Sequence, residues 1–343
     1  MKIENQPMIN IGVIGCGQWG PNHIRNFSHA SGSRVLICSD LNVARLAVMK
    51  ETFRNVRTTT NYREILKNSA IDAVAIATPT QSHYQLVKES LLAGKDVLCE
   101  KPLCTKVSEA RELIRIAKQK KRILMIGHVF LFNSGIQELK RLIQKKACGK
   151  IYYMHSERTN LGPFRRDVNA VWDLAAHDIS IFNYLLNSSP IEVSARGGVY
   201  LQKNIEDVAF ISLIYPNNVL VNVHVSWLDP KKVRQITIVG NKKMLIWDDL
   251  DNMGPVKIYN KQVVQKYYYE TFGEFYLLAK EGTISIPKIC LFEPLKAQAS
   301  HFLKCVRTRQ NSSSDGISGL EVVKVLSAIQ KSLQKRGASV SIE

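Results

Sequence analysis

The chain has 343 residues, 45% apolar and 22% charged, a composition that suits two globular domains and excludes a disordered or fibrous chain. Lys+Arg number 47 against 29 Asp+Glu, a net charge of +18, but the basic residues are scattered. That argues against a nucleic-acid partner and for solubility, or for a field that draws in an anionic small molecule.

The first ten residues, MKIENQPMIN, lack the apolar stretch of a signal peptide and run straight into a strand. No window is apolar for the length a bilayer requires, so no membrane role is expected. Seven cysteines, without C-x-x-C or structural-zinc spacing, read as reduced thiols with no metal centre. A cytoplasmic protein is the expectation.

Short apolar runs at 10–15, 34–40, 72–79, 96–102 and 122–128 predict strands. Segments 20–30, 42–53, 62–68, 81–93 and 106–120 predict helices between them. In the last, Val107, Ala110, Leu113, Ile114 and Ala117 recur with a helical period. This alternation predicts an α/β fold beginning with a doubly wound parallel sheet covered on both faces. The pattern then changes. A helix at 134–146 leads to GKIYYMHSERTN and a long insertion, with a helix near 170–186. Close-spaced strands follow at 191–200, 206–215, 218–228, 233–239, 243–247 and 256–260, with a tight-turn signal in YPNNV. This half reads as an α+β domain with a large, mainly antiparallel open sheet, finished by helical sequence at 292–335. The expected domains are 1–126, which binds a dinucleotide, and 127–343, which binds substrate and forms oligomer contacts.

GVIGCGQWG places Gly15, Gly17 and Gly20 in G-x-G-x-x-G spacing between the first strand and the first helix. The first glycine permits a tight turn, the second lets the backbone approach a pyrophosphate, and the third allows close helix–sheet packing. Gln18 and Trp19 fill the loop, and the phosphates would meet N–H groups at the helix start. Asp40 ends the second strand where an acid would bind ribose hydroxyls and repel a 2′-phosphate. Leu41 and Asn42 follow without an arginine, so NAD is expected rather than NADP.

In such a sheet ligands bind beyond the carboxyl ends of the strands. DVLCEKPL ends one strand in Glu100, Lys101 and Pro102, TPTQSH ends its neighbour with Thr78, Pro79 and His83, and GHVF ends the next. Lys101 is thereby expected to face the nicotinamide crevice, its backbone fixed by Pro102.

GVIGCGQWG, ATPTQSHYQLV, CEKPL, GHVFLFN, WDLAAHDISI and DGISGLEVVKVLSAIQKSL together resemble the Gfo/Idh/MocA oxidoreductases, over nearly the whole chain. The resemblance implies a Rossmann domain followed by a mixed α/β domain whose large sheet commonly forms oligomer contacts, here a homodimer or homotetramer. It also implies NAD-dependent oxidation of a sugar, inositol or nucleotide sugar. The family's catalytic pattern falls on Lys101, Asp173 and His177. The last two lie four apart, on one helix face. Either His177 or Lys101 would take the hydroxyl proton, and Asp173 would orient the substrate or His177.

SERTNLGPFRRDVNAVWDLAAHD looks like the nucleotide-sugar branch, which includes oxidation at C3 of a UDP-N-acetylhexosamine. Arg158, Arg165 and Arg166 are the candidates for the diphosphate, and Asn160 for sugar hydroxyls. Inositol or a free sugar is the alternative substrate, and a non-catalytic NAD-binding regulator the alternative of another class.

Overall fold

The structure, a computed structural model, describes residues 7–260 and 282–342. Residues 1–6, part of the stretch read above as lacking a signal peptide, lie outside the described residues. No helix among the described residues is long and apolar enough to cross a membrane. Six cysteines are buried and Cys290 is exposed.

The chain forms two compact units, the first comprising the described residues up to Phe132 together with Phe292–Val323. Its parallel sheet contains β1 (Ile9–Ile14), β2 (Ser33–Ser39), β3 (Arg57–Thr59), β4 (Ala73–Ile76), β5 (Asp96–Cys99) and β6 (Leu124–Ile126), in the order β3-β2-β1-β4-β5-β6. Between the strands run α1 (Gly20–His29), α2 (Val43–Thr52), α3 (Arg63–Lys67), α4 (His83–Leu92) and α5 (Val107–Gln119). This is the doubly wound sheet the apolar runs predict. The three-residue β3 was not predicted, because Arg57, Thr58 and Thr59 form no apolar run.

One face of the sheet, with Ile11, Val13, Val35, Ala73, Ala75 and Leu98, is buried under Ile24 and Phe27 of α1 and under Ala299, Phe302 and Leu303 of the late helix Pro294–Thr308. Phe27 and Phe302 meet edge to face, with ring centroids 6.0 Å apart. Burying each such side chain contributes about 1.5–3 kcal/mol. Just past that helix, Arg309 forks onto the buried Asp96 of β5, with Nη1 2.7 Å from Oδ2 and Nη2 2.9 Å from Oδ1. Ser314 then exchanges two hydrogen bonds with the backbone of Ile126. Residues 292–323 therefore pack with the first unit, which a single division after residue 126 does not capture.

The second unit comprises the described residues of Asn133–Leu291 and Lys324–Glu343. It holds α6 (Ser134–Gln144), α7 (Ala176–Leu186) and, among the described residues, a nine-stranded sheet. The strands are β7 (Ile151–Leu161), β8 (Glu192–Gly198), β9 (Val208–Tyr215), β10 (Val219–Ser226), β11 (Leu228–Gly240), β12 (Met244–Asp248), β13 (Val256–Tyr259), β14 (Ile284–Ser285) and β15 (Val340–Ser341). Their order is β14-β13-β12-β11-β7-β10-β9-β8-β15. The pairs are antiparallel except β10 with β7. β7 was not predicted, although it lies between β10 and β11. Its inward positions carry Met154, Ser156 and Arg158, so the apolar alternation that announces a strand is broken.

β10, predicted at 218–228, alternates: Val221, Val223 and Val225 are buried, while Leu220 and Asn222 face outward. Ser226 is buried where the strand ends, next to the buried Trp227. The β9–β10 turn sets Asn217 and Asn218 at φ 62° and 58°, left-handed values that asparagine tolerates.

Candidate active site

The glycine loop between β1 and α1 explains its own spacing. Gly15 has φ +95°, and a Cβ there would lie 2.6 Å from the Ala77 carbonyl oxygen. A Cβ on Gly20 would lie 2.0 Å from the Gly15 oxygen, whereas one on Gly17 would meet nothing nearer than Arg45 Nη1 at 3.7 Å. Two glycines thus pack the turn, and the third leaves an open cradle beside the start of α1, whose first N–H groups have no side-chain cap. These residues fit a dinucleotide diphosphate. Gln18 and Trp19 are exposed on the rim.

Asp40 holds the loop. Its Oδ2 accepts from Cys16 N–H at 2.7 Å and its Oδ1 from Asn42 N–H at 2.8 Å. The expectation that no arginine stands near it is corrected: Arg45, one turn into α2, places Nη1 3.6 Å from Asp40 Oδ2. The sequence scan stopped at the two residues after the strand, and a helix brings the fifth back.

At the carboxyl ends of β4 and β5 the expected cofactor contacts divide. Pro79 is exposed and Thr78 half-buried, its hydroxyl accepting from Ser82 Oγ at 2.7 Å. His83 is buried, with Nδ1 2.8 Å from the Pro102 carbonyl and Nε2 2.9 Å from that of Thr78. The expectation that His83 touches the cofactor is thereby corrected: it braces the two turns that flank the crevice. Glu100 is likewise buried against His23, with 2.8 Å between Oε1 and Nε2. Burial would raise its carboxyl, but His23 and Lys101 hold it below the ordinary value, so it is an anion. Lys101 is half-buried at the end of β5.

In the second unit Asp173 lies in a π-helical turn, Val171–Ala175, and His177 in the first turn of α7. A π turn at the start of a helix often marks a functional site. Asp173 is gripped at both oxygens. Arg165 Nη1 donates to Oδ1 at 3.0 Å, and the buried Trp227 donates Nε1–H to Oδ2 at 3.3 Å. Arg165 also forks onto Asp167, at 2.9 and 2.5 Å. Both His177 and Asp173 are half-buried.

The arginines expected on a diphosphate are placed differently. Arg158 is 4% exposed and pairs with the buried Asp178, at 2.8 and 3.1 Å, so its assignment to substrate is corrected. Arg165 serves Asp167 and Asp173 instead of open space. Arg166 is exposed and makes no ion pair among the described residues. The Asn160 side chain donates to the Gly162 carbonyl of its own loop. Sequence reasoning missed Arg45, His23, His128 and Trp227. Only the first was findable, by projecting α2 onto the strand end.

Residues 9–128 match the family described as "Oxidoreductase family, NAD-binding Rossmann fold", and residues 136–246 match the "GFO/IDH/MocA C-terminal domain". The chain is 31% identical over 228 residues to inositol 2-dehydrogenase 2 of Saccharopolyspora erythraea, covering 63% of this chain and 66% of that one. It is 29% identical over 244 residues to UDP-N-acetylglucosamine 3-dehydrogenase of Acidithiobacillus ferrooxidans, covering 70% and 74%. The solved structure of the latter enzyme is similar with a TM-score of 0.81 at 23% identity, over 96% of this chain and 99% of that one.

Proposed function

The chain belongs to the Gfo/Idh/MocA oxidoreductase family with an NAD-binding Rossmann domain, and on that premise we propose that it oxidises a secondary ring hydroxyl of a nucleotide sugar, C3 of a UDP-N-acetylhexosamine. The observation that carries the nucleotide-sugar reading is Arg166. It stands exposed just before the π turn that bears Asp173, as a guanidinium open to a diphosphate. The 29% likeness to UDP-N-acetylglucosamine 3-dehydrogenase supports the same reading.

NAD, when bound, accepts the hydride. Gly15, Gly17, Gly20 and Asp40 shape the seat for its diphosphate and adenine ribose, with Gln18, Trp19, Thr78 and Pro79 at the rim. The hydroxyl must also lose a proton. Lys101 holds the hydroxyl and stabilises the developing alkoxide. His177 takes the proton, a task suited to an imidazole near neutral pH. Asp173, held in place by Arg165 and Trp227, orients the hydroxyl.

A second reading, an inositol or free-sugar dehydrogenase, is favoured by the engagement of Arg158 and Arg165 with carboxylates and by the 31% likeness to inositol 2-dehydrogenase 2. NADH absorbance separates the two when the protein is given NAD with UDP-N-acetylhexosamines, inositols and free hexoses in turn. Turnover of inositol alone would reverse the order of the readings.

A further inference from the structure

Two imidazoles of the first unit lie behind Lys101 and have no part in the chemistry so far. His23 sits in α1, shortly after the glycine loop, and its Nε2 is 2.8 Å from Glu100 Oε1. Glu100 Oε2 in turn accepts the Lys101 backbone N–H at 3.3 Å. His128 follows β6. Because β5 and β6 pair in parallel with Cys99 opposite Ile126, the next residues bring Glu100 beside Gly127. A Cβ on Gly127 would lie 3.0 Å from Glu100 Oε2. His128 is 1% exposed, and neither ring nitrogen has a hydrogen-bond partner among the described residues. The same holds for His23 Nδ1.

Three buried ring nitrogens without partners around one carboxylate are not what packing selects. A phenyl ring fills the same space without the penalty of an unsatisfied polar atom. Native proteins serve such atoms with ordered water. The charges agree with that arrangement. Burial, assisted by the Lys101 ammonium and opposed by Glu100, pushes His128 down to about 4. The ring is therefore neutral near pH 7, donating from one nitrogen and accepting at the other.

We propose that His23 and His128 are positioning residues for Lys101: His23 fixes the Glu100 carboxylate beneath the lysine's turn, and His128 holds an ordered water beside it. The proposal rests on the reading of Lys101 as the group that meets the reacting hydroxyl. It makes α1 and the lysine turn one braced piece, so the end of α1 that seats the diphosphate also sets the lysine. Without His23, the Glu100 charge turns to the Lys101 ammonium and competes with the substrate hydroxyl for it.

The test uses the full chain and four variants: His23→Leu, His23→Gln, His128→Phe and His128→Gln. NAD affinity is read by titration, and turnover with UDP-N-acetylglucosamine by NADH absorbance. A third readout needs no sugar: the rate at which Lys101 is reductively methylated by formaldehyde and a borane, followed by peptide mass. The Leu and Phe variants are expected to bind NAD within about twofold of the parent. They should lose kcat by about 10- to 100-fold with little change in KM, the scale of a misplaced catalytic group, and Lys101 should be methylated several-fold more slowly. The Gln variants keep a donor and an acceptor and should recover most of both. If His23→Leu does not fold, His128→Phe decides alone, since a phenyl ring fills the same space and can hold no water. Slower Lys101 methylation in the folded His128→Phe variant supports the proposal; methylation at the parental rate overturns it. Slower methylation in the variants, when the parent turns over no UDP-sugar, upholds this proposal and sinks only the substrate reading.

Discussion

Arg165 reaches eight residues along the chain to place its Nη1 3.0 Å from Asp173 Oδ1. We propose that an arginine so engaged acts through the carboxylate. Arg165→Ala should therefore lower kcat for every substrate turned over, charged or not. Arg166→Ala should raise KM only for a UDP-sugar, by about tenfold to a hundredfold if its charge-assisted bond contributes roughly 1.5–3 kcal/mol. Steady-state kinetics on both variants would separate these roles. If Arg166→Ala leaves KM for the UDP-sugar unchanged, the diphosphate is held elsewhere or is absent from the substrate.

Lys101→Ala and His177→Ala should each reduce turnover by about a hundredfold or more, the usual scale for acid–base groups. NAD should still bind, because the glycine loop and Asp40 are untouched. Near-normal turnover in either variant would remove that residue from the mechanism.

Cofactor choice depends on Asp40 and its neighbour Arg45. The carboxylate should favour NAD over NADP in the parent protein. In Asp40→Ser the repulsion is gone while Arg45 remains, and NADP should gain affinity at the expense of NAD. Isothermal titration of both cofactors checks this, and equal affinities in the parent would refute it.

The buried His128 should make stability depend on pH. Its folded value of about 4 lies below the ordinary 6.5, so the unfolded chain takes up the proton first as pH falls. The stability associated with the neutral ring is whole above 6.5 and is lost as pH drops from 6.5 toward 4. His128→Phe should remove that part of the slope. Parallel melting curves across this window in parent and variant would show that the ring does not titrate as described.

The open face of the second unit's sheet carries Phe210, 56% exposed, and Leu220, 49% exposed, beside Tyr153 and among polar neighbours. Phe210 stacks on His224 with ring centroids 4.4 Å apart, making a flat outer surface. A dimer or tetramer through this face is expected, and Leu220→Glu should weaken it. Sedimentation at micromolar concentration is the check, and a strictly monomeric parent would defeat the expectation.

What the sequence disclosed followed from regular spacing. The strands of the parallel sheet other than β3 are largely apolar runs, and Gly15, Gly17 and Gly20 sit where a turn and a helix need them. β7 stayed hidden because Ser156 and Arg158 occupy its inward face, the latter paired there with Asp178. The partners of Arg165 were hidden for a related reason: a cluster of arginines before a helix shows charge, but not which carboxylate folds back onto it. His83 looked like a ligand because it ends a crevice strand, and only the two carbonyls beside its ring reveal a brace. The helix Pro294–Thr308 had a helical pattern but no mark of which sheet it would cover.

That late helix bears on how the protein is made. Phe302, Leu303 and Ala299 close one face of a sheet whose strands end at Ile126, and residues 133–291, 159 in all, separate the two parts of the first unit. At about 5–20 residues per second, a ribosome needs on the order of ten seconds or more to cross that interval. Throughout it, Ile11, Val35 and Phe27 lack the part of their cover that this helix supplies, leaving an apolar surface that chaperones and proteases can engage. A chain stopped before residue 292 would carry the whole glycine loop and yet lack the helix that seals the sheet behind it.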